Sequence, residues 1–329
     1  MELSSIRELD TAGCAKPCPV GALAVTTKTR FASGSGVPLV TPFRDGAIDF
    51  DAFAKLIEFQ IDARTDALII CGSTGENQAL TLEERAQQIE LAIGAARGRI
   101  AIIAATGCET QAETLTLSDR AARAGADGLL VITPRATAVS QDGVVAYLSA
   151  IAARTDLPIY VYNYPTRTNV DISAETIERL VLAHPNVVGL KQTDGNLRLV
   201  TQVRNRLGPD FHIFCGIEQL ALPGLMLGSA GMITASTNIV PRQIADMYRA
   251  FRAGDLDEAR RLHDSLSQIF DAVVYAESSP AAALKYMLRR TGRLPTNEHR
   301  LPSLPPTARA EQQLDAALAT LADAVPALS

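Results

Sequence analysis

Val187-Val188-Gly189-Leu190-Lys191-Gln192-Thr193 carries one lysine to the end of what reads as a buried strand. Only five of the 31 basic residues are lysines, at positions 16, 28, 55, 191 and 285, so surface basic charge falls mostly to arginine. An ammonium that closes an apolar strand is poorly solvated. A neutral lysine amine condenses with a ketone to give an imine, an electron sink for making or breaking the adjacent C–C bond. From a reference pKa near 10.4, neutrality at pH 7 costs roughly 4–5 kcal/mol. Apolar neighbours such as Val188 and Leu190 supply much of that by penalising the charged form. The plainer reading of the stretch by itself is a strand-end lysine reaching water.

Imine chemistry also needs proton carriers and a place to hold a keto acid. Tyr162 closes another apolar run, where a phenol suits a proton shuttle and a hydroxyl such as Ser73 connects it to water or substrate. Cys71-Gly72-Ser73-Thr74-Gly75-Glu76 is a Gly-rich turn leading into a helix. Its backbone N–H groups and the Thr74 hydroxyl can hold a small anion such as a keto-acid carboxylate. It lacks the Walker pattern and lysine of a phosphate loop. Arg167, five residues past Tyr162, suits bidentate binding of a second carboxylate. Taken singly, the turn also reads as a tight βα connection and Arg167 as a solvated loop residue. The four histidines are dispersed and no His, Asp and Glu cluster forms, so neither a metal nor an organic cofactor is expected.

These residues need a scaffold that brings distant strand ends together. From Gly36 onward, short apolar runs end in Gly, Thr, Pro or polar residues, and each leads into an amphipathic helical stretch. The runs are Val37–Thr41, Ala67–Cys71, Ile100–Ala105, Gly128–Thr133, Pro158–Tyr162, Val187–Lys191, Phe211–Cys215 and Gly231–Ala235. Continuous apolar runs, not alternating ones, mark strands buried on both faces. Helices are expected over Asp51–Arg64, Leu82–Arg97 (capped by Thr81 and Glu84), Ser118–Ala124, Asp142–Arg154, Ser173–Ala183, Leu197–Leu207, Gln219–Leu227 and Pro241–Ala253. Eight βα units predict an α/β fold, a closed (β/α)8 TIM barrel whose active site lies at the C-terminal ends of the strands. An open doubly wound sheet is the alternative, disfavoured by the lack of G-x-G-x-x-G after the first strand. After Gly254 the pattern is helical over Asp257–Glu277, Ala281–Arg290 and Ala308–Leu321. The expected organisation is an N-terminal arm (1–33), a barrel (34–254) and a C-terminal helical extension packed beside it (255–329).

Composition narrows the function classes. A net charge of −5 offers no basic footprint for nucleic acid and no polybasic membrane anchor. No apolar run approaches the roughly 18–20 residues that span a bilayer, and the first 33 residues lack the features of a signal peptide. Five scattered cysteines argue for a reducing compartment, hence a cytoplasmic protein. Cys14 and Cys18 form a C-x3-C pair with nothing nearby to complete a zinc site.

Gly72-Ser73-Thr74-Gly75-Glu76, Tyr162-Asn163-x-Pro165 and Gly189-Leu190-Lys191 together resemble the dihydrodipicolinate synthase/N-acetylneuraminate lyase family of class I pyruvate-dependent aldolases, over about Gly36 to Leu304. The resemblance implies a lyase in which Lys191 forms the Schiff base with pyruvate and Tyr162 and Ser73 relay protons. It implies that Thr74 and the N–H groups around Gly75 hold the pyruvate carboxylate. Ile233, seventeen residues beyond Gly216, matches the position whose carbonyl faces the keto acid, and Arg167 matches the arginine that receives the aldehyde partner's carboxylate. Where the synthases read Thr-Pro-Tyr-Tyr, this chain reads Thr133-Pro134-Arg135-Ala136, so the tyrosine donated across a dimer interface is Ala136 here. The implied reaction is condensation of pyruvate, or another 2-keto acid, with an aldehyde, foremost aspartate semialdehyde. The alternatives are a 2-keto-3-deoxy sugar acid or N-acetylneuraminate-type substrate, and a non-catalytic keto-acid-binding barrel. The resemblance alone implies a homotetramer, a dimer of dimers.

Overall fold

The computed structural model describes residues 27–135, 139–275 and 277–324. Cys14, Cys18, Ala136 and most of the proposed N-terminal arm lie outside the described residues. Eight parallel strands form the barrel: β1 (Gly34–Pro38), β2 (Ala67–Ile70), β3 (Ala101–Ala105), β4 (Gly128–Ile132), β5 (Ile159–Asn163), β6 (Val187–Gln192), β7 (His212–Cys215) and β8 (Gly231–Ile233). Each pairs with its neighbours in sequence and β1 closes on β8, with Gly34 opposite Gly231. That closure needs glycine: a Cβ on Gly231 would lie 2.0 Å from the Gly34 carbonyl oxygen.

Eight helices alternate with the strands: α1 (Phe50–Asp62), α2 (Leu82–Ala96), α3 (Gln111–Ala124), α4 (Gln141–Ala152), α5 (Ala174–Ala183), α6 (Leu197–Leu207), α7 (Ala221–Met226) and α8 (Pro241–Arg252). Thr81 and Glu84 form the expected capping box on α2. Two boundaries differ from expectation. The Thr110 side chain caps α3 at Glu113, which starts that helix well before Ser118; its first turn is polar and exposed, and the buried stripe begins with the polar Thr114 ahead of Leu117 and Ala121. The stretch after β7 begins as a 3-10 turn over Glu218–Leu220 and becomes α-helical only at Ala221. The β1 ladder ends at Pro38, before the apolar Leu39 and Val40, and the Val40 N–H turns instead to the Asn238 side chain.

Side chains divide into an outer layer between strands and helices and an inner layer filling the barrel. At the N-terminal end Phe31 stacks on Phe214 with centroids 4.3 Å apart, and Tyr160 donates to the Phe31 carbonyl at 2.5 Å. Gly189 leaves room for the Tyr160 ring, which a Cβ would approach to 2.7 Å.

Strand β6 contains one residue more than its partner: Ile159 pairs with Val187, but the next residue, Tyr160, pairs with Gly189. Val188 faces the interior and Leu190 the outer layer, so the irregularity reverses the strand's parity. It turns Lys191 inward, opposite Tyr162.

Beyond the barrel lie α9 (Leu256–Tyr275), α10 (Pro280–Arg290) and α11 (Ala308–Ala324). Helix α10 and the segment after it lock onto the barrel mouth. Lys285, fully buried, forms an ion pair with Glu76, donates to the Glu298 carbonyl at 3.0 Å and lies 4.2 Å from the Phe43 ring centroid. The Glu298 carboxylate accepts from the Asp45 and Gly46 N–H groups at the tip of a hairpin of two short strands, Phe43–Arg44 and Ala47–Ile48. Burial pushes the Glu76 carboxyl up, but His299 and Lys285 outweigh it and hold it below the ordinary carboxylate range. Replacing Lys285 by Met strands that buried charge. Lys285→Met is therefore expected to lose about 3–5 kcal/mol in urea unfolding, and the double variant Glu76→Gln/Lys285→Met to recover part of the loss.

Candidate active site

A cavity of about 390 Å³ opens at the C-terminal mouth of the barrel. Ser73, Thr74, Tyr162, Arg167, Lys191, Gly216 and Ile233 all line it, drawn from the ends of β2, β5, β6, β7 and β8 and the loops that follow them. Gly75 lies in the turn behind its wall, where a Cβ would come within 2.9 Å of the Leu39 carbonyl oxygen.

Lys191 and Tyr162 are ladder partners, and the lysine Nζ lies 4.4 Å from the centroid of the phenol ring. The residues that follow each of them fix this pair from outside. Asn163 donates to Asp171 at 2.8 Å and to Gln192 at 2.9 Å, and accepts from the Ile172 N–H at 3.1 Å. Gln192 donates to Asp194 at 2.6 Å. The Thr193 N–H bonds the Asn163 carbonyl and the Gly216 N–H bonds the Gln192 carbonyl, which joins the ends of β5, β6 and β7. Alternation explains the arrangement: one residue of each pair points into the cavity and the next into the network behind it.

Burial pushes the Lys191 amine down to about 8, against the opposing influence of Tyr164 and Glu218 and with help from Arg167. Roughly a tenth of such an amine is neutral at pH 7, against a few parts in ten thousand for an exposed lysine. Burial raises the Tyr162 phenol; the Thr193 and Ser73 hydroxyls and Arg167 oppose the rise. The phenol is therefore protonated at neutral pH and able to donate to a leaving hydroxyl.

The turn after β2 is bracketed by Cys71 and Glu76, both at positive φ, 61° and 56°. Gly75 and Glu76 N–H groups close it onto Gly72 and Ser73, and the Thr41 hydroxyl holds the Gly75 carbonyl at 2.6 Å. Among the described residues, nothing accepts from the N–H groups of Ser73 and Thr74. Two unused donors and two hydroxyls make this turn an anion cradle. Arg167 stands on a single helical turn, Pro165–Thr168, with its guanidinium 5.3 Å from the Tyr164 ring centroid. Among the described residues no carboxylate pairs with it, so its fork is open to an anionic ligand.

Residues 32–321 match the model of the dihydrodipicolinate synthetase family. The chain belongs to that family. It is 37% identical over 270 residues to the 4-hydroxy-tetrahydrodipicolinate synthase of Aquifex aeolicus, covering 80% of this chain and 92% of that one. It is 40% identical to the synthase of Sphingopyxis alaskensis, covering 88% and 98%. The crystal structure of the Aquifex aeolicus enzyme superposes with a TM-score of 0.84 at 35% identity, over 87% of this chain and 97% of that one. YagE, a prophage protein of the same family from E. coli K12 solved in complex with pyruvate, superposes with a TM-score of 0.85 at 29% identity, over 88% and 99%.

Within this family member the cavity has walls that periodicity did not single out. Tyr164 stacks on Tyr162, with centroids 5.7 Å apart, and Thr193 and Glu218 face the same space. Val273, Tyr275 and Ser279 extend the wall from α9 and the start of α10, so the helical extension forms part of the site. Tyr164 and Thr193 lie inside the motifs read from sequence, each two residues past the reactive side chain and just beyond its strand, where nothing in the composition assigns a direction. Arg135 is held away from the cavity by Glu109, with Nε to Oε1 at 2.7 Å.

Close approach at Gly216 supplies a test of this geometry. A Cβ there would lie 2.0 Å from the Thr193 hydroxyl and 3.0 Å from the Gln192 carbonyl oxygen. Gly216→Ala is expected to unfold near the wild-type temperature and to lose at least about tenfold in turnover, because Thr193 is displaced from beside Tyr162. A wild-type rate in steady-state assays would show that Thr193 has no part in setting the phenol.

Proposed function

We propose that this chain is a metal-independent class I aldolase, a 4-hydroxy-tetrahydrodipicolinate synthase that joins pyruvate to aspartate semialdehyde through an imine on Lys191. The observation that carries the reading is a buried, largely deprotonable amine set against a phenol, in one cavity with an unpaired arginine. The neutral Lys191 amine attacks the keto carbon of pyruvate. Tyr162 donates a proton to the carbinolamine oxygen, water leaves, and the imine forms; Ser73 passes the proton between Tyr162 and water. Loss of a methyl proton gives the enamine, whose carbon attacks the aldehyde. Thr74 and the backbone around Gly75 hold the pyruvate carboxylate, the Ile233 carbonyl faces the bound keto acid and Gly216 gives it room. Arg167 takes the carboxylate of the partner.

The unpaired guanidinium favours a carboxylated aldehyde over a neutral sugar aldehyde. The family membership and fold support a homotetramer, which sedimentation velocity measures directly, and the charge and cysteine pattern support a cytoplasmic location.

Borohydride reduction in the presence of pyruvate is expected to fix an adduct on Lys191, located by peptide mass spectrometry. A folded sample without that adduct would sink both the aldolase reading and its imine. The trapping rate is expected to rise with pH through about 8 and level off above it, because the lowered lysine reacts only once it has lost its proton. Arg167→Ala is expected to raise KM for aspartate semialdehyde at least about tenfold and to leave pyruvate trapping intact. Greater turnover of a keto-deoxy sugar acid than of the pyruvate and aspartate semialdehyde pair would reassign the partner.

A further inference from the structure

The aldehyde oxygen must gain a proton as the C–C bond forms, and none of the roles assigned so far supplies it. Tyr162 and Ser73 are occupied with the water that leaves the carbinolamine. A second phenol stands in the same cavity. Tyr164 is the first residue past β5, half-buried in the cavity wall. Its backbone is fixed: the carbonyl accepts from the Arg167 N–H at 2.9 Å, the Thr168 N–H at 3.1 Å and the Thr168 hydroxyl at 3.1 Å. Among the described residues nothing bonds its own hydroxyl. Four groups form a file across the cavity. Lys191 Nζ lies 4.4 Å from the Tyr162 ring centroid, and the Tyr162 and Tyr164 rings stack with centroids 5.7 Å apart. The Arg167 guanidinium completes the file, 5.3 Å from the Tyr164 centroid. Tyr164 thus stands between the reactive pair and the open cation, and it acts on the Lys191 amine more strongly than Glu218, Arg167 or Cys215 does.

A partner whose carbonyl carbon meets the enamine and whose carboxylate reaches Arg167 spans the interval that Tyr164 occupies. Its carbonyl oxygen therefore gains charge beside a phenol that no protein group engages. We propose that Tyr164 is the general acid of the bond-forming step, its O–H protonating the aldehyde oxygen as the enamine carbon attacks. The nitrogen lone pair restores the C=N bond, the C=C pair becomes the new C–C bond, and the carbonyl π pair takes the phenol proton. Water at the open mouth then returns a proton to the phenolate. The Arg167 guanidinium beside the ring stabilises the negative charge that develops there as the proton leaves. The inference rests on the pyruvate-imine reading and deepens it: Tyr162 serves the imine half of the reaction and Tyr164 the bond-forming half. In the reverse direction the phenolate is the base, so cleavage of a keto-deoxy acid makes the same demand on Tyr164.

Tyr164→Phe tests this, because it keeps the ring, its stack on Tyr162 and its contact with Arg167 and removes only the hydroxyl. The two halves of the reaction are read separately. Exchange of the pyruvate methyl protons for deuterium, followed by NMR without any aldehyde, reads imine and enamine formation. Steady-state consumption of pyruvate with aspartate semialdehyde reads the whole reaction. In Tyr164→Phe, methyl exchange and borohydride trapping are expected to stay within about twofold of wild type, while kcat falls at least about tenfold. Tyr164→Leu, which removes the ring as well, is expected to lose at least as much kcat and serves where the phenylalanine variant does not fold. A wild-type kcat in Tyr164→Phe overturns the proposal and leaves the ring as a spacer, since phenylalanine rescues a purely structural role. A wild-type kcat in Tyr164→Leu overturns it as well. Methyl exchange lost in step with kcat in Tyr164→Phe also overturns it, and assigns the hydroxyl to the imine half. Pyruvate trapping on the wild-type protein, measured alone, tells whether the underlying imine reading has failed instead.

Discussion

The desolvated amine of Lys191 is the constraint on which the rest of the site depends. Among the described residues two lysines are buried, and their surroundings differ. Lys285 is packed against the Glu76 carboxylate, the Glu298 carbonyl and the Phe43 ring; burial still lowers its amine, but Glu76 opposes the shift and the pair ties α10 to the barrel mouth. Lys191 has a phenol ring beneath it and no carboxylate in contact; burial then acts on it with little compensation and frees its lone pair. Glu218 and Tyr164 are near enough to moderate that effect without cancelling it.

What places Lys191 there is a local irregularity in a regular fold. A β-strand alternates faces, so the inward direction of Val188 would send Lys191 outward if the ladder ran without interruption. The extra residue between the pairs of Ile159 and Tyr160 restores the inward direction at Lys191 and sets it opposite Tyr162. The outer residues Asn163 and Gln192 then lie side by side and bond each other and the acidic side chains of Asp171 and Asp194. One register shift thus fixes the reactive pair on one face of the sheet and its supporting network on the other.

Much of this was legible in the chain, for physical reasons that also define what was not. Eight apolar runs at βα spacing revealed the barrel because strands buried on both faces admit only apolar side chains. Lys191, Tyr162, Ser73, Thr74 and Arg167 stood out because each is a polar interruption at the end of such a run or in the loop beyond it. The register shift in β6 has no signature in composition, since Val187, Val188 and Gly189 suit either parity. Lys285 and Glu76 are more than two hundred positions apart, and a charged residue on an amphipathic helix reads as a solvated one until its neighbours are known. Glu218 falls just before the expected helix Gln219–Leu227 and was not singled out; only the loop after β8, bonding its Oε1 through Ser236, shows how it is buried. Helix α3 began earlier than expected because a Thr110 cap supports an exposed first turn, and its buried stripe opens on a polar residue, Thr114.

The two halves of the cavity are built differently, and that difference bears on specificity. On the proposed reading, the keto-acid half consists of strand ends and a backbone turn: Lys191, Tyr162, the unused N–H groups of Ser73 and Thr74, and the end of β8 at Ile233. The partner half consists of side chains on loops, Arg167 and Tyr164 from one and Glu218 from another, with walls lent by the helical extension. Among the described residues none of those groups forms an ion pair with Lys191, and they act on its amine only at longer range, Tyr164 and Glu218 raising it and Arg167 lowering it. On the proposed reading, reaction type resides in the sheet and substrate choice in the loops, an arrangement by which a barrel can retain one mechanism while its second substrate changes.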